Sequence, residues 1–214
     1  MELEEVIATR RSIRRFTNQP IPKELLEKII QAGNFAPSHC NSQAWKFIVV
    51  DDSAIKQSLV ERGGSPIIKN APYGILVLYN TAESDNLEYR DWLQSASAAI
   101  QNMLLTIHNL GLGGCWICHL PRKKSLIKVF KVKKSYQPVA YIALGYPAHA
   151  PVTIPRKHSI SELYCKNTFI WPAVKTPLTI RLKRLGKKLY FLSPRIIKKI
   201  VAPAVEKFIK KFEN

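Results

Sequence analysis

The apolar positions along this chain alternate between helical and strand-like spacing. Behind Pro22, residues Leu25, Leu26, Ile29 and Ile30 recur three and four apart, which predicts a helix ending near Gly33 and ahead of Pro37. Phe47-Ile48-Val49-Val50 reads as a short buried strand, closed by Asp51-Asp52-Ser53, a group suited to cap the next helix. The run YGILVLY, Tyr73 to Tyr79, is a second buried strand entered through Asn70-Ala71-Pro72. The longest helix follows: Leu93, Ala96, Ile100, Met103, Ile107 and Leu110 keep helical spacing, and Gly111 stops the run. Its small residues Ala96, Ser97, Ala98 and Ala99 would admit another helix or a flat ligand. Gly113 to Ile117 looks like another strand entry, 122–131 a basic helix, and Val139 to Leu144 a further strand ending at Gly145. Strands and helices interleave with uneven connections and no internal repeat, so the pattern predicts one layered domain of helices and strands.

Composition sharpens this picture in two places. The chain has 214 residues, 46% of them hydrophobic, enough for one substantial domain with a short appendage. The formal charge of +18 is unevenly spread: from Lys175 onward twelve Lys and Arg face only Glu206 and Glu213, a local +10, while the preceding 174 residues carry +8. Tail and body therefore need separate explanations. The opening MELEEVIATRR places acids first and lacks the apolar core of a secretory signal, and no stretch reaches the roughly 18 to 20 apolar residues of a membrane span. The expectation is a cytoplasmic protein with reduced thiols.

Cys115-Trp116-Ile117-Cys118-His119 matches the C-x-x-C-H spacing of haem attachment, half a zinc site, or a thioredoxin-like pair. Haem attachment lacks an export signal. Zinc would need His39, Cys40 or Cys165 brought in by the fold, and the pair follows a helix and glycines where a redox pair opens a helix. No metal is expected. Three other clusters suit a ligand. Arg10-Arg11-Ser12-Ile13-Arg14-Arg15 offers guanidinium groups to a phosphate, or is a solvated basic face. Pro37-Ser38-His39-Cys40-Asn41-Ser42-Gln43 offers amide and hydroxyl groups to a heteroaromatic ring, or bonds its own backbone. Gly111-Leu112-Gly113-Gly114 permits close approach of backbone N–H groups to a ligand, although the helix precedes these glycines and no G-x-G-x-x-G fingerprint is present.

Their order is more informative than any one of them. R-R-S-I-R at 10–14, A-P-S-x-x-N-S-Q-x-W from Ala36 to Trp45, N-L-G-L-G-G-C-W from Asn109 to Trp116, and A-L-G-Y-P-A followed by Arg156-Lys157 together resemble the nitroreductase family of FMN flavoproteins, over roughly residues 1–160. The resemblance implies an α+β fold: a three-layer α-β-α sandwich with a mixed central sheet, forming an intertwined homodimer whose two FMN sites draw on both subunits. It assigns Arg10, Arg11, Ser12 and Arg14 to the N-terminal FMN motif, and Arg156 with Lys157 to the basic position that closes on the phosphate. It assigns Pro37, Ser38, Asn41 and Gln43 to the loop that reaches the flavin from the partner. Cys115, Trp116, Ile117, Cys118 and His119 match the segment whose backbone lies beside the ring.

The implied reaction passes hydride from NADPH or NADH through flavin N5 to a nitroaromatic, quinone or activated alkene, and it names no catalytic side chain. His108, His149 and His158 are then structural or surface groups. Cys118 and His119 depart from the small residues common in relatives, and either tune the flavin or contribute only backbone. Two alternatives stand beside this reading: a membrane-surface flavoprotein of specialised biosynthesis with a partner protein as reductant, and a non-catalytic membrane-binding module on the same fold.

The division expected is a flavin-binding domain over 1–174 and a basic amphipathic extension over 175–214. From Arg195 to Phe212 apolar residues keep helical spacing opposite Lys198, Lys199, Lys207, Lys210 and Lys211, with a break at Pro203, and Leu178 to Leu192 repeats the mixture. The extension docks on the dimer body or lies on an anionic membrane, at the inner face of a cytoplasmic membrane. Nucleic acid is disfavoured, because no recognition motif accompanies the charge.

Overall fold

The computed structural model describes residues 1–84, 88–152, 154–173 and 176–192. They fall into two compact units, Met1–Val152 and the remainder from Thr153 on. The first unit carries helices α1 (Leu3–Thr9), α2 (Lys23–Asn34), α3 (Ser53–Glu61), α4 (Ile67–Asn70), α5 (Asp91–Asn109) and α6 (Lys123–Phe130), and strands β1 (Trp45–Val50), β2 (Tyr73–Asn80), β3 (Gly113–Ile117) and β4 (Tyr136–Gly145). The second carries a short turn at Ile160–Glu162 and helix α7 (Leu178–Leu192). The periodic run over 195–212, with its break at Pro203, lies outside the described residues.

The four strands form one sheet in the order β1-β2-β4-β3, and every neighbouring pair is antiparallel. A mixed sheet was expected; among the described residues the parallel component is one isolated bridge, Ser12 to Gly114. A bulge interrupts the β2–β4 register, where Val77 faces Ala140 but Leu78 faces Pro138. Pro138 has no N–H to give the ladder, and the irregularity falls beside it.

Side chains alternate across the sheet, so the two layers can be read from the strands. Ile75, Val77 and Tyr79 of β2 join Ala140, Ile142 and Leu144 of β4 in a core closed by Ala96, Ala99, Ile100, Met103 and Ile107 of α5 and Ile29 of α2. The buried side chains Leu76, Tyr141 and Ala143 point the other way, where α4 and α6 contact β4 and α3 packs on α4. Burying such large aliphatic side chains contributes about 1.5 to 3 kcal/mol each. Ala96 and Ala99 are fully buried, so the small-residue stretch of α5 serves in part to let α2 approach.

Local chemistry sets the ends of these elements. Asp52 caps α3, its carboxylate accepting from the N–H of Ala54 at 2.7 Å and of Ile55 at 3.1 Å. After α5, Gly111 takes φ +73°, its N–H donating to His108 O at 3.0 Å and that of Leu112 to Ile107 O at 3.0 Å. That paired closure turns the chain straight into β3.

Candidate functional site

Two polar groups stand at opposite ends of α5. The first is a strap over residues 10–17 that leaves α1 and runs along β3 and the end of β4. Ile13 N–H donates to Gly114 O at 3.0 Å, Thr17 N–H to Tyr146 O at 2.9 Å, and Ala148 N–H to Arg15 O at 3.1 Å. The sequence makes room for it: a Cβ on Gly113 would lie 2.8 Å from the Ile13 side chain, and one on Gly145 would lie 2.8 Å from Pro72 and 3.0 Å from Phe16. Gly113 and Gly145 face each other in the β3–β4 register, so they form one notch that seats the strap. Gly114 is packed against Leu104 and Ile107 of α5. The space left by the missing side chains of glycines 113 and 114 is thus taken by the protein's own strap and helix.

Two arginines of this strap, Arg11 and Arg14, bond main chain. Arg11 Nη1 donates to Ala8 O and to Arg10 O, both at 2.8 Å, so it caps the carbonyl end of α1. Arg14 Nη1 donates to Ser12 O at 3.3 Å, and Ser12 is exposed. Among the described residues neither Arg11 nor Arg14 pairs with a carboxylate, and the buried Arg11 Nε has no hydrogen-bond partner. An anion would satisfy both. Behind the strap, Thr9 Oγ1 meets His108 Nε2 at 2.8 Å. Burial, and then the charges of Arg10 and Arg11, push the His108 pKa down, against a smaller pull upward from Glu5.

Strand β3 runs beside this group. Cys115 is buried, and that burial pushes its thiol pKa up, offset in part by Arg14 and Arg10 and reinforced by Cys118. Trp116 packs on the α5-side core with its buried Nε1 unpartnered, and Ile117 is buried. Cys118 is exposed just past the strand, His119 is half-buried, and the His119 carbonyl accepts from Ser65 N–H at 3.1 Å. Among the described residues no three His, Cys, Asp or Glu side chains are placed to share a metal ion.

The second group is the loop 37–43 at the other end of α5. Cys40, Asn41 and Gln43 all have positive φ, 45°, 55° and 47°, with Ser42 between them at φ −66°, so the loop is a tight turn. Ser38 Oγ accepts from Gln43 N–H at 3.0 Å, and Gln43 Nε2 donates to Asn41 Oδ1 at 2.6 Å. The loop is clamped to α5: His39 N–H donates to Ser95 Oγ at 3.0 Å, and the His39 ring meets the Asp91 carboxylate at 3.2 Å. Asp91 is only 6% exposed and also accepts from Ser84 Oγ and from Trp92 N–H. Beside this clamp opens a cleft of about 420 Å³, lined by Pro37, His39, Tyr89, Gln94 and Ala98 among others. Sequence reasoning did not single out Asp91 or Ser95, because their partner lies more than fifty positions away and only the fold joins them.

The structure thus brings Arg10, Arg11, Ser12 and Arg14 together with the 115–119 segment, and separately gathers Pro37, Ser38, Asn41 and Gln43. From Ser95 to His108, the contacts of the two groups, α5 rises about 20 Å, so one protomer does not unite them. Arg156 and Lys157 are exposed members of the second unit.

The fold is an α+β sandwich with an arginine strap on β3 and a polar loop ahead of β1, and similarity to known proteins gives its family. The Nitroreductase family profile matches residues 7–63 and 56–146, and the chain belongs to that family. A candidate NADH dehydrogenase/NAD(P)H nitroreductase of Methanothermobacter thermautotrophicus is 34% identical over 157 residues, covering 72% of this chain and 81% of its own. An NAD(P)H-dependent FMN reductase of Bacillus subtilis is 27% identical over 173 residues, 72% of this chain and 70% of its own. The crystal structure of a candidate nitroreductase from Desulfovibrio desulfuricans, in complex with FMN, superposes with a TM-score of 0.69 at 29% identity. It matches 79% of this chain and 99% of the other.

Proposed function

We propose that this chain is an FMN-dependent oxidoreductase working as a homodimer, with NADPH or NADH as reductant and a small nitroaromatic, quinone or activated alkene as acceptor. The observation that carries the reading is the strap: among the described residues Arg11 and Arg14 bond main chain and no carboxylate, the buried Arg11 Nε has no hydrogen-bond partner, and the Ile13–Gly114 bond fixes both arginines beside β3. Arg10, Arg11, Ser12 and Arg14 would hold the phosphate, with Arg156 and Lys157 closing on it. Bound FMN would supply hydride transfer at N5, which no side chain of this protein can perform. The segment from Cys115 to His119 lines the ring edge, and Cys118 and His119 contribute through backbone.

The separation along α5 supports the dimer. Pro37, Ser38, Asn41 and Gln43 sit too far from the strap of their own protomer, so a site using both groups takes the loop from a second copy. Leu3 and Ile7 are exposed one turn apart on α1, and Phe35 at the end of α2, as surfaces for that copy. In the second unit Ile160, Leu163, Phe169 and Ile170 are also exposed, within a stretch 158–173 whose only formal charges are Glu162 and Lys166. Such a stretch suits a protein surface. The flavin-binding domain over 1–174 would therefore include it, with 175–214 as the extension.

The test is purification followed by release and identification of the flavin, then anaerobic titration with NADPH and NADH. A colourless protein that takes up no FMN overturns the proposal. The shared site is tested by co-producing Arg11→Ala/Arg14→Ala chains with Asn41→Ala/Gln43→Ala chains. Each is inactive alone, and random pairing restores roughly a quarter of the sites. No recovery would show that each protomer holds its site alone.

A further inference from the structure

Helix α7 is explained by nothing in the site described above. Over Leu178–Leu192 it carries Arg181, Lys183, Arg184, Lys187 and Lys188 and no acidic residue. Its leucines at 178, 182 and 185 are 67%, 58% and 53% exposed, and the same interval recurs in the sequence at Leu189 and Leu192. At 100° per residue these five positions fall within an arc of about 80°, a continuous apolar stripe. On the same wheel Arg181 and Lys188 border one edge of the stripe, and Lys183, Arg184 and Lys187 lie towards the opposite side, where Ile180 and Phe191 also fall.

Three surfaces can cover a stripe of this kind, and charge separates them. The body of this chain, or a second copy of it, is itself basic: residues 1–174 carry +8, so five further cations are repelled from it. Nucleic acid would satisfy the cations but leave the leucines in water. An anionic lipid surface satisfies both, since acyl chains take the leucines while headgroup phosphates meet the flanking arginines and lysines. Among the described residues no helix is long and apolar enough to cross a membrane, so the association is with the surface.

We propose that α7 lies in the interface of an anionic membrane, with Leu178, Leu182 and Leu185 towards the acyl chains and Arg181 and Arg184 at the phosphates. The continuing basic sequence, Lys198, Lys199, Lys207, Lys210 and Lys211 among it, adds to the same attraction. The proposal does not depend on the flavin reading, because it uses none of the site residues.

The experiment is flotation of the full chain with phosphatidylcholine vesicles and with vesicles containing phosphatidylglycerol in equal measure. Binding to the anionic vesicles is expected to exceed binding to the neutral ones by at least about tenfold and to fall at about 0.5 M salt. Leu182→Glu/Leu185→Glu should lower it by about tenfold while the melting temperature stays unchanged, since both positions are exposed. Arg181→Glu/Arg184→Glu should lower it comparably at low salt. Flotation with neither vesicle, or equal flotation with both, overturns the proposal. So does anionic binding that the leucine substitutions leave intact, which would reduce the helix to a cation cluster. A chain that fails to float but shifts a short DNA duplex, or self-associates through α7, assigns the stripe to those occupants instead.

Discussion

Gly113→Ala tests whether the strap is what gives the arginines their place. A Cβ at position 113 would meet Ile13 Cβ and Cγ2 at 2.8 Å and Cγ1 at 3.0 Å. Ordinary carbon contacts lie near 3.5 to 4.0 Å, so the strap must retreat by roughly 0.7 Å or more. The Ile13 N–Gly114 O bond, now 3.0 Å, would then pass 3.5 Å and cease to be one, a loss of about 1 kcal/mol. Overpacking adds about 1 to 3 kcal/mol if the strap does not yield. The strap yields in the empty protein, so most of the penalty is met when ligand pulls the arginines back into position. FMN affinity should fall by roughly tenfold to a hundredfold, while the melting temperature drops by only a few degrees. Fluorescence titration of apoprotein with FMN measures the first and a thermal melt the second. Gly111→Ala is the control: that residue has φ +73° with nothing within 4 Å, so alanine there costs about 1 kcal/mol of stability through backbone strain alone. Its FMN affinity should be that of the wild type. Wild-type affinity in Gly113→Ala, or equal loss in both variants, would refute the seating argument.

Stability should rise with pH across the range below neutrality on account of His108. Its folded pKa lies below 6.5, so the unfolded chain binds the extra proton first. The contribution is complete above about pH 6.5 and is lost as pH falls beneath that, and His108→Gln should flatten this part of a melting-temperature profile. Saturating phosphate or FMN should diminish the same slope, because an anion on Arg10 and Arg11 removes their repulsion of the imidazolium. Alkylation of the native protein should modify exposed Cys40 and Cys118 well before buried Cys115, whose thiol is held in its neutral form; peptide mapping against time shows the order. Asp91→Asn should loosen the 37–43 loop by weakening its bond to His39, visible as faster amide exchange at His39 to Gln43 while the strap exchanges as before.

How far the sequence discloses this molecule depends on the range of the interaction involved. Capping by Asp52, the stop at Gly111 and the period of α5 are local, and each element they bound lies within a few residues of its expected place. The strand pattern is equally legible, but pairing is not: nothing in YGILVLY shows that it runs antiparallel to both neighbours, and a mixed sheet was the expectation. The glycines show the same limit. Gly113 reads as open space, because the partner that fills it, Ile13, is a hundred residues away in sequence. The clamp of Asp91 on His39 was invisible for the same reason. Arginines, amides and their order could be read directly, whereas the side chains that hold them in place could not.

The two cysteines of the C-x-x-C-H spacing lie in different surroundings once the strand is in view. Cys115 lies within β3 and is buried, whereas Cys118 lies beyond the last paired residue, Ile117, and is exposed. A thiol whose pKa is pushed up by burial is a poor thiolate donor, and the positive strap beside it offsets that burial only in part. The residues that make the stretch useful are those flanking the motif: Gly113 and Gly114, which let the strap and α5 close in, and the His119 carbonyl that ties the exit of β3 to Ser65. One short strand thereby fixes the arginines on one side and the chain ahead of α4 on the other. On the proposed assignment of the flavin phosphate to the strap, substitutions that loosen this strand should weaken flavin binding more than substitutions that alter the two cysteines.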